Sequence, residues 1–416
     1  VIEPSAPRPA MFAPFAVRNY RFQWTADLAT SWAFEMETLI LGWYVLAQTG
    51  SVLLLSLFAS LQFAGTLVAP LFGLAGDRFG HRTVLALMRA SFAALALVLL
   101  ALVLADALTP ARVLLLAGLA GVVRPSDVGM RSVLIGETMP AERLMGAIGL
   151  SRLTTDSARI AGALAGATVV AWLGMGWAYG AIVVLYGASV LFTLGVVTPA
   201  GERLRSAVSS PLGDLRDAAR AVWQAPAPLA ALLLAFLVNV AAYPFTLGLL
   251  PYVARELYGT TERGLGYLTA ANGLGTFAAA LLLSWLGPSV RPARMMVGFA
   301  LLWHVLVALF GHVPDMRAGI VLLALIGLSS GLCLLPMSVL LLRGMPPALR
   351  GRIMGLRTLA VYGLPIGLLM AGEAIPRLGF SATATLYGIV GLAGTLLLLA
   401  RWRPHLWPRE AAGNAG

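Results

Sequence analysis

Three carboxylic acids, Asp27, Glu35 and Glu37, stand in one otherwise apolar run, Trp24-Thr-Ala-Asp27-Leu-Ala-Thr30-Ser31-Trp32-Ala-Phe34-Glu35-Met-Glu37-Thr38. At about 100° per residue, Asp27, Ser31 and Thr38 share one helix face, and Glu35 and Glu37 flank it on opposite edges. A charge inside a membrane costs about 2.5 to 3.5 kcal/mol on insertion scales, so each such acid needs a partner or a watery cavity. Glu35 falls near the middle of the run and Asp27 nearer its start. Burial favours the neutral form of a carboxyl group, which is the property proton coupling uses. All three acids are therefore candidates for carrying a proton; the structural alternative is pairing with arginines on neighbouring helices.

Two further patterns repeat charge at helical spacing. Arg124, Asp127 and Arg131 stand at i, i+3 and i+7, and Arg152, Asp156 and Arg159 at i, i+4 and i+7, so each triplet lies along one face. On adjacent antiparallel helices, such stripes are expected to form an interhelical charge network. Arg124 and Asp127, closer to the middle of their run, are candidates for lining a substrate cavity, with Asp156 and Arg159; Arg124 would attract an anionic group. The second half of the chain offers softer cavity candidates in Asn239, Tyr243 beside Pro244, and Tyr362. Ser329, Ser330, Cys333 and Pro336 read first as structural, and His304 beside Trp303 as a packed histidine. No Walker loop, nucleophile elbow or metal-ligand spacing occurs, so no enzyme chemistry, cofactor or metal is expected.

The elements that position these groups are dictated by composition. Hydrophobic residues make up 59% of the 416 residues and charged ones 11%, with a mean hydropathy of +0.86. That balance excludes a soluble domain of this size and predicts an all-α polytopic membrane protein. At about 20 apolar residues per span, the chain divides into twelve transmembrane helices, at approximately 22–48, 53–76, 83–106, 111–136, 146–172, 178–198, 229–254, 264–287, 294–312, 318–343, 353–375 and 380–401. Residues 1–21 lack an apolar core, so the first run is expected to be a retained span rather than a cleaved leader. The connection 199–228 separates an N-terminal six-helix bundle, 22–198, from a C-terminal one, 229–401, followed by a tail, 402–416. Within the connection, Asp214 to Trp223 reads as an amphipathic helix for the membrane surface. Eighteen arginines fall in segments on one side and five on the other, which predicts cytoplasmic termini. The net charge of +11 is spread over short loops, not gathered on a face that would bind nucleic acid. A lone cysteine, Cys333, excludes an internal disulfide.

Between the second and third runs lies Gly73-Leu-Ala-Gly76-Asp77-Arg78-Phe-Gly80-His81-Arg82. Its charges require an aqueous face, Gly80 permits a positive-φ turn, and Gly73 is expected to allow close helix approach. The stretch resembles the signature loop of the major facilitator superfamily, Gly-x-x-x-Asp-Arg-x-Gly-Arg-Arg, with His81 the one departure. The resemblance implies a cytoplasmic gating turn built from Gly73, Asp77, Arg78, Gly80 and Arg82 and latched by Arg131, which looks like the family's structural arginine. An internal repeat supports two halves: the stretch from Met139-Pro140 to Leu153 matches that from Met345-Pro346 to Leu359 at a constant offset. Parallel six-span repeats with substrate held near the midplane are what the family implies. Gly287 to Arg294 is a remnant of the charged turn without its acid. Arg159-Ile-Ala-Gly162-Ala-Leu-Ala-Gly166 resembles the family's fifth-span exporter motif but lacks its proline; small residues four apart first of all permit close helix packing.

Asn19-Tyr-Arg21-Phe-Gln-Trp24 and Trp43-Tyr-Val45-Leu-Ala-Gln48-Thr49-Gly50-Ser51 are similar to the branch of the superfamily that holds bacterial enterobactin exporters and related drug effluxers. What this implies is a monomer in the bacterial cytoplasmic (inner) membrane that exports a siderophore or amphipathic drug-like small molecule by alternating access. Protons would move inward in exchange, so the expected partners are substrate, protons and the lipid bilayer. An uncoupled or importing facilitator of the same fold, a lipid or lysophospholipid flippase and a non-transporting sensor are the alternatives.

Overall fold

A computed structural model describes residues 10–198, 211–286, 291–343 and 350–407. Residues 199–210 of the connection, the outer parts of both tails, 287–290 of the charged-turn remnant and Met345-Pro346 of the repeat lie outside the described residues. Among those described there is no strand. The helices begin and end where backbone chemistry requires. Helix α1, Arg18–Thr49, stops at Gly50, whose φ of 62° no helix accommodates. Ser51 then caps α2, Val52–Leu61, its Oγ accepting from the Leu54 N–H at 3.2 Å. A short 3-10 turn, Ala64–Leu67, leads into α3, Ala69–Phe79, with Pro70 in its first turn. The second apolar run is thereby two helices bent by 48°.

Helices α4, His81–Leu104, α5, Pro110–Thr138, α6, Ala141–Leu173, and α7, Met175–Leu194, complete the first half. Helix α8, Pro211–Trp223, occupies the stretch expected to be amphipathic and packs against α9, Pro226–Ala241, and α15, Arg350–Ala360. The seventh run is segmented, because Pro244 and Pro251 lack N–H donors and open the short helices α10, Pro244–Leu247, and α11, Leu250–Tyr252. A π-helical turn, Val253–Leu257, ends it. Beyond it run α12, Glu262–Leu286, α13, Pro292–Phe310, α14, Met316–Arg343, α16, Gly363–Leu378, and α17, Phe380–Arg401.

Among the described residues, eight helices are long and apolar enough to cross a membrane, and the bent pair makes nine. Helices α1 and α6, at 32 and 33 residues, are long enough but outside that set. They carry Asp27, Glu35, Glu37, Arg152, Asp156 and Arg159, whose polarity offsets their apolar residues.

The chain forms two compact units: Val1–Tyr44 with Ala64–Arg205, and Val45–Phe63 with Ser206–Gly416. Residues 45–63 thus group with the second half of the chain. In the first unit, Val84, Leu85, Met88, Met130, Leu134 and Val196 form one apolar cluster where α4 meets α5, and Tyr20, Ile135, Met139, Ala147 and Leu150 form another. In the second unit α14 packs against α12 and α13, and α17 against α13 and α9. Helix α2 lies along α16, with Ser60 Oγ 3.4 Å from the Pro365 carbonyl.

Two glycine expectations separate here. A β-carbon on Gly162 would sit 3.0 Å from the Glu35 β-carbon and 3.2 Å from the Trp32 carbonyl, and one on Gly166 3.0 Å from the Met36 α-carbon. The pair lets α6 approach α1 closely, as the spacing suggests. Gly73, by contrast, faces open space, so close approach is not its role. The crowded glycine of the turn is Gly76, against the His81 imidazole, because the first side chain of α4 folds back over the last turn of α3. Gly80, at φ 90°, is the sole link between the two helices.

Gly162→Leu is expected to lower stability by about 1 to 3 kcal/mol through overpacking against α1. Gly73→Leu should stay within about 0.5 kcal/mol of the parent. Thermal unfolding of the purified protein in detergent measures both; equal effects would remove the packing role assigned to Gly162.

Candidate functional site

Three ion-pair groups surround α1 in the first unit, and they differ in how far they are sealed. The most enclosed joins α1, α4 and α5. Asp27 and Asp127 and the guanidinium groups of Arg89 and Arg131 are all buried. Arg89 pairs through Nη2 with Asp27 Oδ1, approaches Asp127 Oδ1 with Nε at 3.5 Å and donates from Nη1 to Thr193 Oγ1 at 2.5 Å. Arg131 pairs through Nε with Asp127 Oδ2, lies 3.6 Å from Asp27 Oδ1 and donates to Ser31 Oγ at 2.9 Å. Two acids and two arginines leave the cluster formally neutral, which is what a low-dielectric interior demands. Gln23, also buried on α1, donates to the Arg131 carbonyl at 2.9 Å.

The second group joins α1, α5 and α7. Arg124 Nη2 lies 3.3 Å from Glu37 Oε2, and Nη1 donates to Thr38 Oγ1 at 3.0 Å. The Tyr186 hydroxyl donates to the same Glu37 oxygen at 3.0 Å, and the guanidinium lies 4.0 Å from the centroid of the Phe34 ring. The third joins α1 to α6, where Arg159 Nε is 3.7 Å from Glu35 Oε1 and about a quarter of each side chain is exposed. Asp156, on the same helix, instead meets Arg152 at 3.5 Å, one turn away.

This corrects the expected network between the α5 and α6 stripes. The stripe of α5 pairs with α1 and α4, and only Arg159 of the α6 stripe reaches across to another helix's acid. The cause is the placement of acids on α1. Glu35 and Glu37 leave on opposite edges, so one meets α6 and the other α5. Asp127 and Asp156, proposed as cavity residues, are both enclosed. Arg89 was not anticipated. It stands two turns into α4, close enough to Arg82 to read as loop flank. The available signal was arithmetic: it is one of six arginines that belong to neither the eighteen of one side nor the five of the other.

At the turn, the pairing also differs from expectation. Asp77 lies 3.4 Å from His81 Nε2, and His81 Nδ1 is 2.6 Å from Glu137 Oε1. Arg82 donates to the Val196 carbonyl at 2.9 Å, and Arg78 lies over the Phe79 ring. Arg131 faces Asp27 and Asp127 rather than Asp77, because it points into the buried cluster while Asp77 is 59% exposed at the end of α3. The residue that departs from the family pattern, His81, lies between an acid of α3, Asp77, and an acid of α5, Glu137.

The softer candidates all belong to the second unit. Asn239 donates to the Ala235 carbonyl of its own helix at 2.8 Å, and Tyr243 meets Trp303 edge-on at 4.8 Å. Tyr362 occupies the break between α15 and α16. His304 is packed, as expected, with Nδ1 2.7 Å from the Ala300 carbonyl. Among the described residues no three His, Cys, Asp or Glu side chains are disposed to hold a metal.

Chemically, each group can exchange a proton only at the expense of its neutrality. A proton on an α1 acid removes one negative charge from beside its arginine partners, so protonation and helix arrangement are linked. Arg89 should be the costliest residue to remove. Arg89→Met leaves Asp27 and Asp127 sharing Arg131, with an expected loss of about 3 to 5 kcal/mol. Adding Asp27→Asn should recover part of it. Detergent unfolding curves of the single and double variants decide this, and a single variant as stable as Arg152→Met would refute it.

A family model described as Major Facilitator Superfamily matches residues 26–370. Among curated relatives, the enterobactin exporter EntS of Shigella flexneri is 30% identical over 263 residues, which is 62% of this chain and 61% of that protein. The exporter of the same name from Citrobacter koseri is 31% identical over 271 residues, 63% of this chain and 64% of its own. The chain thus matches less than two thirds of the length of these relatives. The fold is like that of the nucleoside transporter NupG, with a TM-score of 0.72 at 12% identity, covering 92% of this chain and 98% of that one. It is also like that of a D-xylose-proton symporter, with a TM-score of 0.69 at 15% identity, covering 94% and 99%. At these identities the likeness is one of fold alone. It agrees with the apolar helices, the charged turn around Gly80 and the ion pairs of α1 in describing a multi-pass membrane protein of this fold. The chain belongs to the Major Facilitator Superfamily.

Proposed function

We propose that this chain is a proton-coupled exporter of a siderophore or amphipathic drug-like molecule, working as a monomer by alternating access across the bacterial cytoplasmic membrane. Twelve spans are reached when α1, α6 and the segmented seventh run are added to the nine apolar crossings. The arginine distribution favours both termini on the cytoplasmic side. The direction of transport rests on the likeness to enterobactin exporters.

The observation that carries proton coupling is the Glu35–Arg159 pair. At 3.7 Å, with a quarter of each side chain exposed, it is the loosest contact between an α1 acid and an arginine of another helix, and water can reach it. Asp27 is enclosed between two arginines, and Glu37 is held by Arg124 and Tyr186. Glu35 is therefore the first candidate for the proton, with Glu37 and Asp27 behind it. A proton arriving there would cancel the Glu35 charge that faces Arg159 and loosen α6 from α1, and its departure would restore the pair. Gly73, Asp77, Arg78, Gly80 and Arg82 would bias which side opens, with His81 coupling that turn to α5 and Arg131 anchoring the interior end of α5.

Reconstitution into proteoliposomes with an imposed pH gradient tests this reading. The parent should accelerate efflux of an amphipathic dye when protons can flow inward, and Glu35→Gln should lose that acceleration while retaining slow, gradient-independent exchange. Transport by Glu35→Gln with an intact response to the gradient would move the proton site elsewhere. A parent indifferent to the gradient would make the chain an uncoupled facilitator.

A further inference from the structure

We propose that His81 is a proton site in its own right, separate from Glu35, and that it latches the turn between α3 and α4 by gripping Asp77 when protonated and releasing it when neutral. Only the placement of this turn in the cytoplasm rests on the transport reading above; the latch itself needs no flux. The two ring nitrogens face two different acids. Nδ1 lies 2.6 Å from Glu137 Oε1 on α5, and Nε2 lies 3.4 Å from Asp77 Oδ1 on α3. An imidazolium carries an N–H on both nitrogens and can donate to both carboxylates at once. A neutral imidazole carries one, so at one of the two contacts a nitrogen lone pair must face a carboxylate oxygen, and that contact repels.

The geometry decides which contact that is. Glu137 stands at hydrogen-bond length, so Nδ1 keeps its hydrogen in either state. Asp77 is left opposite the bare Nε2, and the contact that depends on the proton is therefore the one between α3 and α4. The ring is seated over Gly76, where a β-carbon would lie 2.5 Å from Cδ2 and 2.9 Å from Nε2. That seat keeps both nitrogens between the two acids. Gly80, at φ 90°, is the single residue joining the helices, so a charged contact across it bears directly on how the last turn of α3 meets the first turn of α4.

The charged groups around the ring are Asp77 and Arg78 from α3, Arg82 from α4 and Glu137 from α5. Arg78 lies over the Phe79 ring and Arg82 donates to the Val196 carbonyl at 2.9 Å. Among the described residues, His81 is thus the one cationic side chain within ion-pair distance of either acid. A guanidinium, which the family pattern has at this position, is charged at every physiological pH. An imidazole changes charge between about pH 5 and 8, so the substitution turns a permanent tie into a titrating one. The His81 side chain is 13% exposed, between acids that are 59% and 38% exposed, and protons reach it from the aqueous face. The sign follows from which form binds both acids: the grip is present at acid pH and is lost as pH rises through the imidazole range. Acidification on the side of the turn, which an inward flow of protons would bring about, tightens it.

Hydrogen–deuterium exchange of the full chain in detergent, read by mass spectrometry on peptides spanning residues 74–84, tests the latch. Exchange is compared at about pH 5.5 and about pH 8, on either side of the imidazole range, with each rate divided by the intrinsic rate at that pH. Protection of the parent turn should be roughly two- to fivefold higher at the acid pH, the worth of one partly exposed ion pair, while peptides of α17 should not change. His81→Arg, which restores the residue of the family pattern, should be protected equally at both, and His81→Gln should be equally unprotected at both. Asp77→Asn, whose amide can accept from one form of the ring and donate to the other, should also lose the difference. A parent turn protected equally at both pH values, or a difference that survives His81→Gln or Asp77→Asn, would overturn the proposal. A pH-dependent turn in a protein whose flux ignores the pH gradient would leave the latch standing and fail the proton-coupled reading; gradient-driven flux with a turn indifferent to pH would do the reverse.

Discussion

The cost of placing charge in a membrane governs the first unit of this protein. Helix α1 carries three acids that lipid would reject, and each has an arginine from another helix against it: Arg89 and Arg131 at Asp27, Arg124 at Glu37 and Arg159 at Glu35. Those contacts specify which helices must stand beside α1. Apolar packing in lipid is weakly directional, because one leucine-rich face resembles another. Ion pairs with hydroxyl partners are directional, and they give the unit its particular arrangement.

The same constraint sorts the groups by role. The neutral cluster around Arg89 is buried and joins α1, α4 and α5. The Glu37–Arg124 and Glu35–Arg159 pairs keep some exposure. Close approach accompanies the second of these: Gly162 and Gly166 bring α6 against α1 near Glu35. Packing and charge are therefore one design, in which the glycine pair sets the separation that the ion pair needs.

The second unit follows a different logic. Its interior is held by aromatic edges and backbone acceptors, as where Phe245 meets Phe380 and Tyr387 and the Tyr387 hydroxyl donates to the Gly367 carbonyl at 2.7 Å. Prolines at 244 and 251 interrupt its first run. The seats of ionic chemistry lie in the first unit, and the segmented helix with its π-turn lies in the second.

Much of this was legible in the residues alone. Composition required membrane helices, the Gly73 to Arg82 stretch required an aqueous turn, and the acids of α1 announced themselves by being charged where lipid forbids it. Positive φ at Gly80 followed from residue type, since only glycine adopts it without strain. What the sequence could not supply was partnership. Helical periodicity assigns a side chain to a face but says nothing about which helix lies opposite, so the α5 stripe was matched with α6 when its partners are on α1 and α4. Arg89 escaped notice for the same reason, its importance being entirely in what surrounds it. Gly73 and Gly76 are indistinguishable as letters, and only the path of α4 decides which of them is crowded. Spacing along a helix is local and travels with the chain; the neighbours that neutralise a buried charge are set by distances between segments far apart in sequence, and only the tertiary structure determines those.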